Sequence, residues 1–151
     1  MKKLLIAVLA AATLVLAACG QKEKNVEGTL PEIMGKVYAG TEDNMPMLAQ
    51  TEVTDEYKEY YFGTADIEYK EALASEPMIS SIAHSVVLVR LNEGQDAEEV
   101  KKTIKDNVNP RKWVCVEVEP QNVHVESKGD LVILIMDNNE PAKLLENFKA
   151  L

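Results

Sequence analysis

The chain is poor in the residues and motifs that mark disulfide-rich folds and catalytic sites. Its 151 residues include two cysteines, Cys19 and Cys115, which excludes a framework of several disulfides and leaves the fold to its hydrophobic core. We find no phosphate-binding glycine loop, zinc-protease helix or calcium-binding loop. Ser80-Ser81 lacks the flanking glycines of a hydrolase nucleophile elbow. The motifs therefore indicate no class of enzyme.

Basic residues are also scarce. The chain has 16 basic and 25 acidic residues, a formal net charge of -9 at pH 7. Such a charge is repelled by nucleic acid and by anionic lipid headgroups. We therefore expect no nucleic-acid partner and no membrane binding through a basic patch.

The N-terminus carries a short basic start and an apolar run. Lys2 and Lys3 precede residues 4–16, which are apolar except for Thr13. This run is shorter than the roughly 20 residues that a membrane-spanning helix needs. Leu16-Ala17-Ala18-Cys19 follows and resembles the lipobox of bacterial lipoproteins, in which the cysteine is joined to diacylglycerol and becomes the new N-terminus. The alternatives are a plain secretory signal with an incidental cysteine and an uncleaved anchor.

We predict a lipoprotein signal peptide over residues 1–18, a lipidated tether over residues 19–28 and a single domain over residues 29–151. Loss of the two basic residues of the signal peptide leaves 14 basic against 25 acidic residues, a net charge of -11. Membrane contact is then expected through the lipid on Cys19, since two acyl chains hold far more firmly than one. The tether reaches at most about 30 Å, so the domain should lie close to the outer face of the cell membrane.

Hydrophobic periodicity and cap residues place the secondary structure. Thr29 and Glu32 form a Thr-x-x-Glu capping box with Pro31 in the first turn, and Gly40 marks the stop of the helix that follows. The predicted helices cover residues 30–38, 55–62, 96–108 and the region from 138 onward. The predicted strands cover residues 67–74, 82–91, 113–118, 123–126 and 131–136, with residues 41–51 as a connecting loop.

Two of these strands, over residues 82–91 and 131–136, are apolar on both faces, which is typical of the centre of a covered sheet. The order of elements predicts an α+β fold. We expect a single domain with a mixed sheet of about five strands and with helices packed mainly on one face.

One predicted hairpin gathers side chains that bind metals. If residues 119–122 form a four-residue loop, the strands over 113–118 and 123–126 pair with their valines on one face. The other face then carries Cys115, Glu117, His124 and Glu126. These residue types bind zinc or copper. The alternative is a solvated outer face with a cross-strand charge pair.

Two further groups of residues admit both a chemical and a structural interpretation. His84 near the start of a central strand could form a thiol–imidazole pair with Cys115, or each could be structural, with Cys115 as a small half-buried hydrophobe. Tyr57, Tyr60 and Tyr61 share one face of the second helix. They could stack on a sugar or a peptide, or they could pack in the core with their hydroxyls at the rim.

Four segments occur together in the chain: Tyr60-Tyr61-Phe62-Gly63, Ala83-His84-Ser85-Val86-Val87-Leu88-Val89, Asn109-Pro110-Arg111-Lys112-Trp113 and Gly129-Asp130-Leu131-Val132. Together they resemble a family of small lipoproteins with a domain of unknown function, found mainly in Gram-positive Firmicutes. The similarity spans residues 30–136. It implies a single cell membrane with the domain facing outward, and it implies no activity, cofactor or catalytic residue.

These observations favour a membrane-anchored extracytoplasmic lipoprotein that acts as a non-enzymatic binding or accessory module without a cofactor. Its partner is expected to be a membrane protein or a small ligand. The chain is too short for the two-lobed architecture of a typical transporter receptor. The alternative is a small cell-envelope enzyme or metal-handling protein that uses the face of Cys115, Glu117, His124 and Glu126, with His84 as a further candidate.

Overall fold

The computed structural model describes residues 23–151; the predicted signal peptide and Cys19 lie outside the described residues. The helices are α1 (Leu30–Tyr38), α2 (Lys58–Phe62), α3 (Ala97–Asn107) and α4 (Pro141–Lys149). The strands are β1 (Leu48–Glu52), β2 (Glu71–Pro77), β3 (His84–Arg90), β4 (Val123–Lys128) and β5 (Leu131–Asp137). Short 3-10 helices cover Glu42–Asn44, Asp55–Tyr57 and Pro120–Asn122. Within residues 23–151, no helix is long and apolar enough to cross a membrane.

The five strands form one sheet in the order β1-β2-β3-β5-β4. The predicted single-domain α+β fold with about five strands is confirmed. The sheet is antiparallel between all neighbours and not mixed. No strand forms directly after α3, and the chain continues to the edge strand β4. The turn at Gly129-Asp130 then reverses the chain into β5, which lies between β3 and β4 and is antiparallel to both.

The centre of the sheet is buried on both faces. Every residue of β3 and of β5 is buried, as the two apolar strands of the sequence predicted. On one face α1 and α4 cover a core that includes Val86, Leu88 and Ile133. On the other face α2 and α3 cover a core that includes Val87 and Val89. Helices therefore lie on both faces, and not mainly on one, because strands that are apolar on both sides need cover on both sides.

Helix α1 begins where the sequence predicts. The Glu32 backbone N–H donates to Thr29 Oγ1 (3.4 Å), and the Thr29 N–H donates to Glu32 Oε2 (2.8 Å), which is the reciprocal pattern of a capping box. The helix ends at Tyr38, whose hydroxyl lies 2.7 Å from His84 Nε2 at the start of β3. The helix therefore runs from its capping box to a contact with the first residue of β3.

Residues 41–51, expected to be a connecting loop, contain the edge strand β1. It pairs with β2 from Leu48 opposite Pro77 to Glu52 opposite Leu73. Four of its five residues are exposed, so no apolar alternation signals the strand. Backbone hydrogen bonds to β2 form it instead.

Residues 113–118, predicted as a strand, have no regular secondary structure. Their backbone groups bond to other loops: the Val118 N–H donates to the Pro110 carbonyl (2.9 Å), and the Val114 N–H donates to a carbonyl in the β2–β3 loop (3.2 Å). Cys115 adopts a left-handed φ of 60°, which interrupts any extended run. The predicted hairpin with β4 is therefore wrong.

The two ends of the sheet carry different structures. We name them the His84 end, where β3 begins, and the Arg90 end, where β3 finishes. Residues 23–28, here named the strap, lie against the Arg90 end. Arg90 donates from Nη2 to the Gly28 carbonyl (2.7 Å) and from Nη1 to Asp130 Oδ2 (2.8 Å). This part of the predicted tether is packed on the domain.

Candidate functional site

Two residues of the predicted metal-binding face, Cys115 and Glu117, lie in a loop and make other contacts. We call them the loop half of that face, and His124 and Glu126 its strand half. Because residues 113–118 do not pair with β4, Cys115 and Glu117 lie in the loop that precedes it. Cys115 is exposed, and Glu117 forms an ion pair with Arg111 of the same loop. Neither side chain is positioned by a strand.

The strand half of that face lies on β4, which pairs with β5 and not with the loop half. His124 lies on β4 opposite Ile135, and Glu126 accepts from Lys101 Nζ of α3 (3.4 Å). Across residues 23–151, no three His, Cys, Asp or Glu side chains lie together in a way that could hold a metal ion. The structure does not bring Cys115, Glu117, His124 and Glu126 together, because the strand that would have aligned them does not form.

His84 takes part in a buried chain of three side chains. Its Nε2 lies 2.7 Å from the Tyr38 hydroxyl, and its Nδ1 lies 2.9 Å from Asp137 Oδ1. An ionised carboxylate can only accept, so Nδ1 donates to Asp137. Both ring nitrogens are therefore engaged, and the predicted pairing of His84 with Cys115 is not formed.

Hydrogen bonds set the ionisation of Asp137. Its Oδ2 accepts from the backbone N–H groups of Asn139 (3.1 Å) and Glu140 (2.6 Å), just before α4. Burial alone would raise the pKa of Asp137, but the hydrogen bonds from His84, Glu140 and Asn139 outweigh burial and hold that pKa below its usual value. Asp137 is thus an ionised group that ties β3 and β5 to the start of α4.

The third side chain of this hydrogen-bonded group is Tyr38, whose phenol stays protonated. Burial raises the pKa of Tyr38 well above its usual value. His84 and Asp137 have no exposed surface, so no substrate can reach either of them in this conformation. The arrangement of Tyr38, His84 and Asp137 resembles a catalytic relay in composition, but its burial makes it a cross-link between α1, the sheet and α4.

A second polar cluster lies on the opposite face of the sheet at the same end. Lys112 Nζ sits 4.3 Å from the ring centroid of Tyr60, 4.7 Å from that of Tyr61 and 5.2 Å from that of Trp113. It also forms an ion pair with Glu76 of β2. Cation–π attraction and the ion pair hold the ammonium in place although the Lys112 side chain is only 5% exposed. We name this cluster the Lys112 cage.

Burial governs the electrostatics of the Lys112 cage. Desolvation lowers the pKa of Lys112 below its usual value, although the Glu76 carboxylate opposes that shift. Burial also raises the pKa of Tyr61 to about 12, and the nearby Glu76 charge adds to this. The Tyr60 hydroxyl donates to Glu76 Oε2 (3.1 Å). The cage is occupied by the protein's own lysine and closed to a ligand in this state.

The tyrosine group of the sequence analysis divides between core and surface. Tyr61 is buried, whereas Tyr57 and Tyr60 are about half exposed. Lys112 and Glu76 were missed as members of a site. No local pattern marks them, because they come from a loop and a strand 36 positions apart.

An apolar surface lies at the His84 end. Four aliphatic side chains are exposed there: Met47 (81%), Met78 (74%), Ile79 (56%) and Val114 (63%). Met47 and Met78 adjoin the paired residues Leu48 and Pro77, and the Val114 N–H donates to the Ser80 carbonyl. We name these four residues the Met78 surface.

The Met78 surface holds all the large aliphatic side chains that are exposed within residues 23–151. Exposed apolar residues scattered singly are ordinary, whereas contiguous exposed apolar patches are a common feature of interaction sites. Methionine suits such surfaces, because its flexible, polarisable side chain adapts to different partners.

Comparison of the chain with protein-family models, with curated proteins and with solved structures finds no match in any of the three.

Proposed function

We propose that this chain is a lipid-anchored extracytoplasmic lipoprotein that acts as a non-enzymatic accessory module and docks a partner protein through the Met78 surface. The observation that carries the proposal is the grouping of exposed aliphatic side chains at the His84 end. Anchoring through Cys19 rests on the lipobox-like sequence and on its place after a short apolar run.

The burial of the polar clusters supports a binding function over an enzymatic one. Ser85, His84 and Asp137 have no exposed surface, and Lys112 is enclosed by aromatic rings and Glu76. A nucleophile or general base must reach its substrate within hydrogen-bond distance. These groups meet no substrate in the folded state, whereas the Met78 surface is open to solvent.

The surroundings of the Met78 surface indicate the chemistry of its partner. Glu42 and Asp43 precede Met47 by a few residues, and Glu119 follows Val114; all three carboxylates are exposed. An apolar centre with an acidic rim complements an apolar patch with a basic rim. We therefore expect the extracytoplasmic part of a membrane protein with that pattern. A small ligand fits less well, because such ligands bind in enclosed, concave pockets.

Site-specific photocrosslinking in intact cells tests the proposal. A photoreactive amino acid is placed at Met78 or, as a matched exposed control on α3, at Glu99. We expect one recurrent membrane protein to be crosslinked from position 78 and not from position 99, and we expect Cys19→Ser to abolish the product. Mass spectrometry of the N-terminal peptide reports diacylglycerol on Cys19 independently.

A binding measurement then separates specific docking from mere proximity. The purified partner should bind the wild-type domain, and Met78→Glu should weaken binding at least tenfold while leaving the melting temperature unchanged. Identical products from positions 78 and 99, or equal affinity of wild type and Met78→Glu, would overturn the proposed docking surface.

A further inference from the structure

The strap is fixed to the Arg90 end by hydrogen bonds to Arg90 and Asp130 and by the packing of Val26. Besides the bond to Gly28, Arg90 Nη1 donates to the Val26 carbonyl (3.0 Å), and the Val26 N–H donates to Asp130 Oδ1 (3.0 Å). Arg90 is 8% exposed and also bonds Glu71 (2.8 Å). Val26 packs against the core under α1 and α4. The strap is therefore part of the folded domain and shares its orientation.

Gly129 makes room for the strap in the β4–β5 turn. A Cβ at Gly129 would lie 2.3 Å from the Lys24 carbonyl oxygen, a distance that no side chain tolerates. The Gly129 N–H also donates to Glu23 Oε2 (3.1 Å). The first residue of the strap thus lies on the β4–β5 turn, and the strap does not cross to the His84 end.

We infer that the Arg90 end is the face that the domain turns toward the lipid bilayer, and that the Met78 surface is held on the side away from it. This inference rests on the proposed lipidation of Cys19. Four residue steps separate Cys19 from Glu23, and they span at most about 14 Å. A strap that begins on the β4–β5 turn therefore holds that turn beside the headgroups.

The length of the sheet sets the distance to the other end. The seven residues of β3 run from His84 to Arg90 and extend over about 20 Å. With lipid at one end and the strands along the bilayer normal, the Met78 surface lies about 20 Å farther from the bilayer than the Arg90 end. A partner that docks there is contacted in its extracytoplasmic part and not in its membrane-spanning part.

The charges beside the strap permit this approach. A pocket of about 390 Å³ lies there, lined by Lys24, Lys36 and Lys128 together with Glu23 and Glu27. The lysines balance the carboxylates locally, although the mature chain as a whole carries a net charge of -11. Repulsion by an anionic bilayer is therefore reduced beside the strap.

Energy transfer to the bilayer tests the orientation. The full lipidated chain is placed in phosphatidylcholine vesicles that contain an acceptor-labelled headgroup lipid. A donor dye is attached to the exposed native Cys115 at the His84 end or, in a Glu93→Cys, Cys115→Ser variant, at exposed position 93 beyond Arg90. We expect several-fold more efficient transfer from position 93 than from Cys115.

Two glycine variants test whether the strap causes this difference. Gly129→Ala should displace the strap and reduce the difference between the two dye positions. Gly40→Ala is the matched control. Gly40 also has a left-handed φ of +77°, but a Cβ at this position would meet no other atom within 4 Å. It should preserve the difference.

The outcomes separate this inference from the proposed function. Equal transfer from the two positions in the wild-type chain, or greater transfer from Cys115, would overturn the orientation whether or not the variants fold. The mass of the Cys19 peptide is read in the same preparation. Lipidated chain without the expected ranking refutes the orientation alone, whereas absence of lipid on Cys19 refutes both the anchoring and the orientation.

Discussion

His84 and Asp137 face each other across neighbouring central strands, with Nδ1 2.9 Å from Oδ1 and neither side chain exposed. A buried carboxylate of this kind depends on its donors, because removing a partner leaves a charge without compensation. The same carboxylate accepts two backbone N–H groups at the start of α4. Asp137 therefore joins the two central strands to the start of α4, in addition to the apolar packing of Leu144 and Phe148.

Asp137→Asn should lower the free energy of unfolding by about 1–3 kcal/mol, because the amide has one accepting oxygen and cannot serve both His84 Nδ1 and the two backbone N–H groups. Asp96→Asn is the matched control. Asp96 caps α3 by accepting from the Glu98 N–H (2.9 Å) but is exposed, and asparagine caps about as well as aspartate. Urea unfolding of both variants provides the measurement. Equal small losses for the two would contradict the assigned role.

The stability of the wild-type domain should fall in acid through Asp137. Its pKa in the folded state lies below the unfolded value of 3.8, so its stabilising contribution is complete above about that pH and is lost as the pH falls through the folded value. Unfolding curves from neutral pH down to acid should show a shallower decline for Asp137→Asn. Parallel declines in the two proteins would show that Asp137 does not titrate in this way.

Gly63→Ala should destabilise the domain far more than a substitution at another left-handed glycine. A Cβ at Gly63 would lie 1.8 Å from the Asn107 carbonyl oxygen at the end of α3, whereas Gly94, with a φ of +78°, has open space. The backbone conformation alone costs about 1–2 kcal/mol. We expect Gly94→Ala to show only that cost, and Gly63→Ala to exceed it by several kcal/mol in thermal or urea unfolding because two helix ends must separate.

Local signals explain what the sequence could predict of the fold. The capping box at Thr29 needs residues only three apart, and the apolar runs of β3 and β5 indicate central strands without knowledge of their partners. β1 carries no such signal, because four of its five residues are exposed and only its pairing with β2 makes it a strand. The alternation of valines in residues 113–118 was misleading, since the left-handed Cys115 and bonds to other loops override it.

The candidate sites depended even more on distant contacts. Tyr38, His84 and Asp137 come from a helix and two strands separated by about fifty residues each, and nothing in their neighbourhoods links them. The sequence did predict His84 near the start of a central strand. It did not predict its partners, because those follow from the register of β3 against β5 and from the place where α1 ends.

His124→Ala should change neither the metal content of the purified domain nor its melting temperature in the presence of zinc. Within residues 23–151, His124 belongs to no group of three His, Cys, Asp or Glu side chains that could hold a metal ion, so it lacks the further ligands of a tetrahedral site. Elemental analysis with and without added zinc is the measurement. One equivalent of metal in the wild type that disappears in His124→Ala would revive the metal-handling alternative.

The Lys112 cage should behave as a coupled pair in a double-mutant cycle. Lys112→Met or Glu76→Gln alone should each cost about 3 kcal/mol, because each leaves a buried polar partner uncompensated. The double variant should recover most of this loss, since methionine packs under the aromatic rings and the neutral amide still accepts from Tyr60. The exposed ion pair of Lys102 with Asp106 is the control, and its single and double variants should stay within about 0.5 kcal/mol of the wild type. Losses in the cage that simply add would mean that Lys112 and Glu76 stabilise the fold independently.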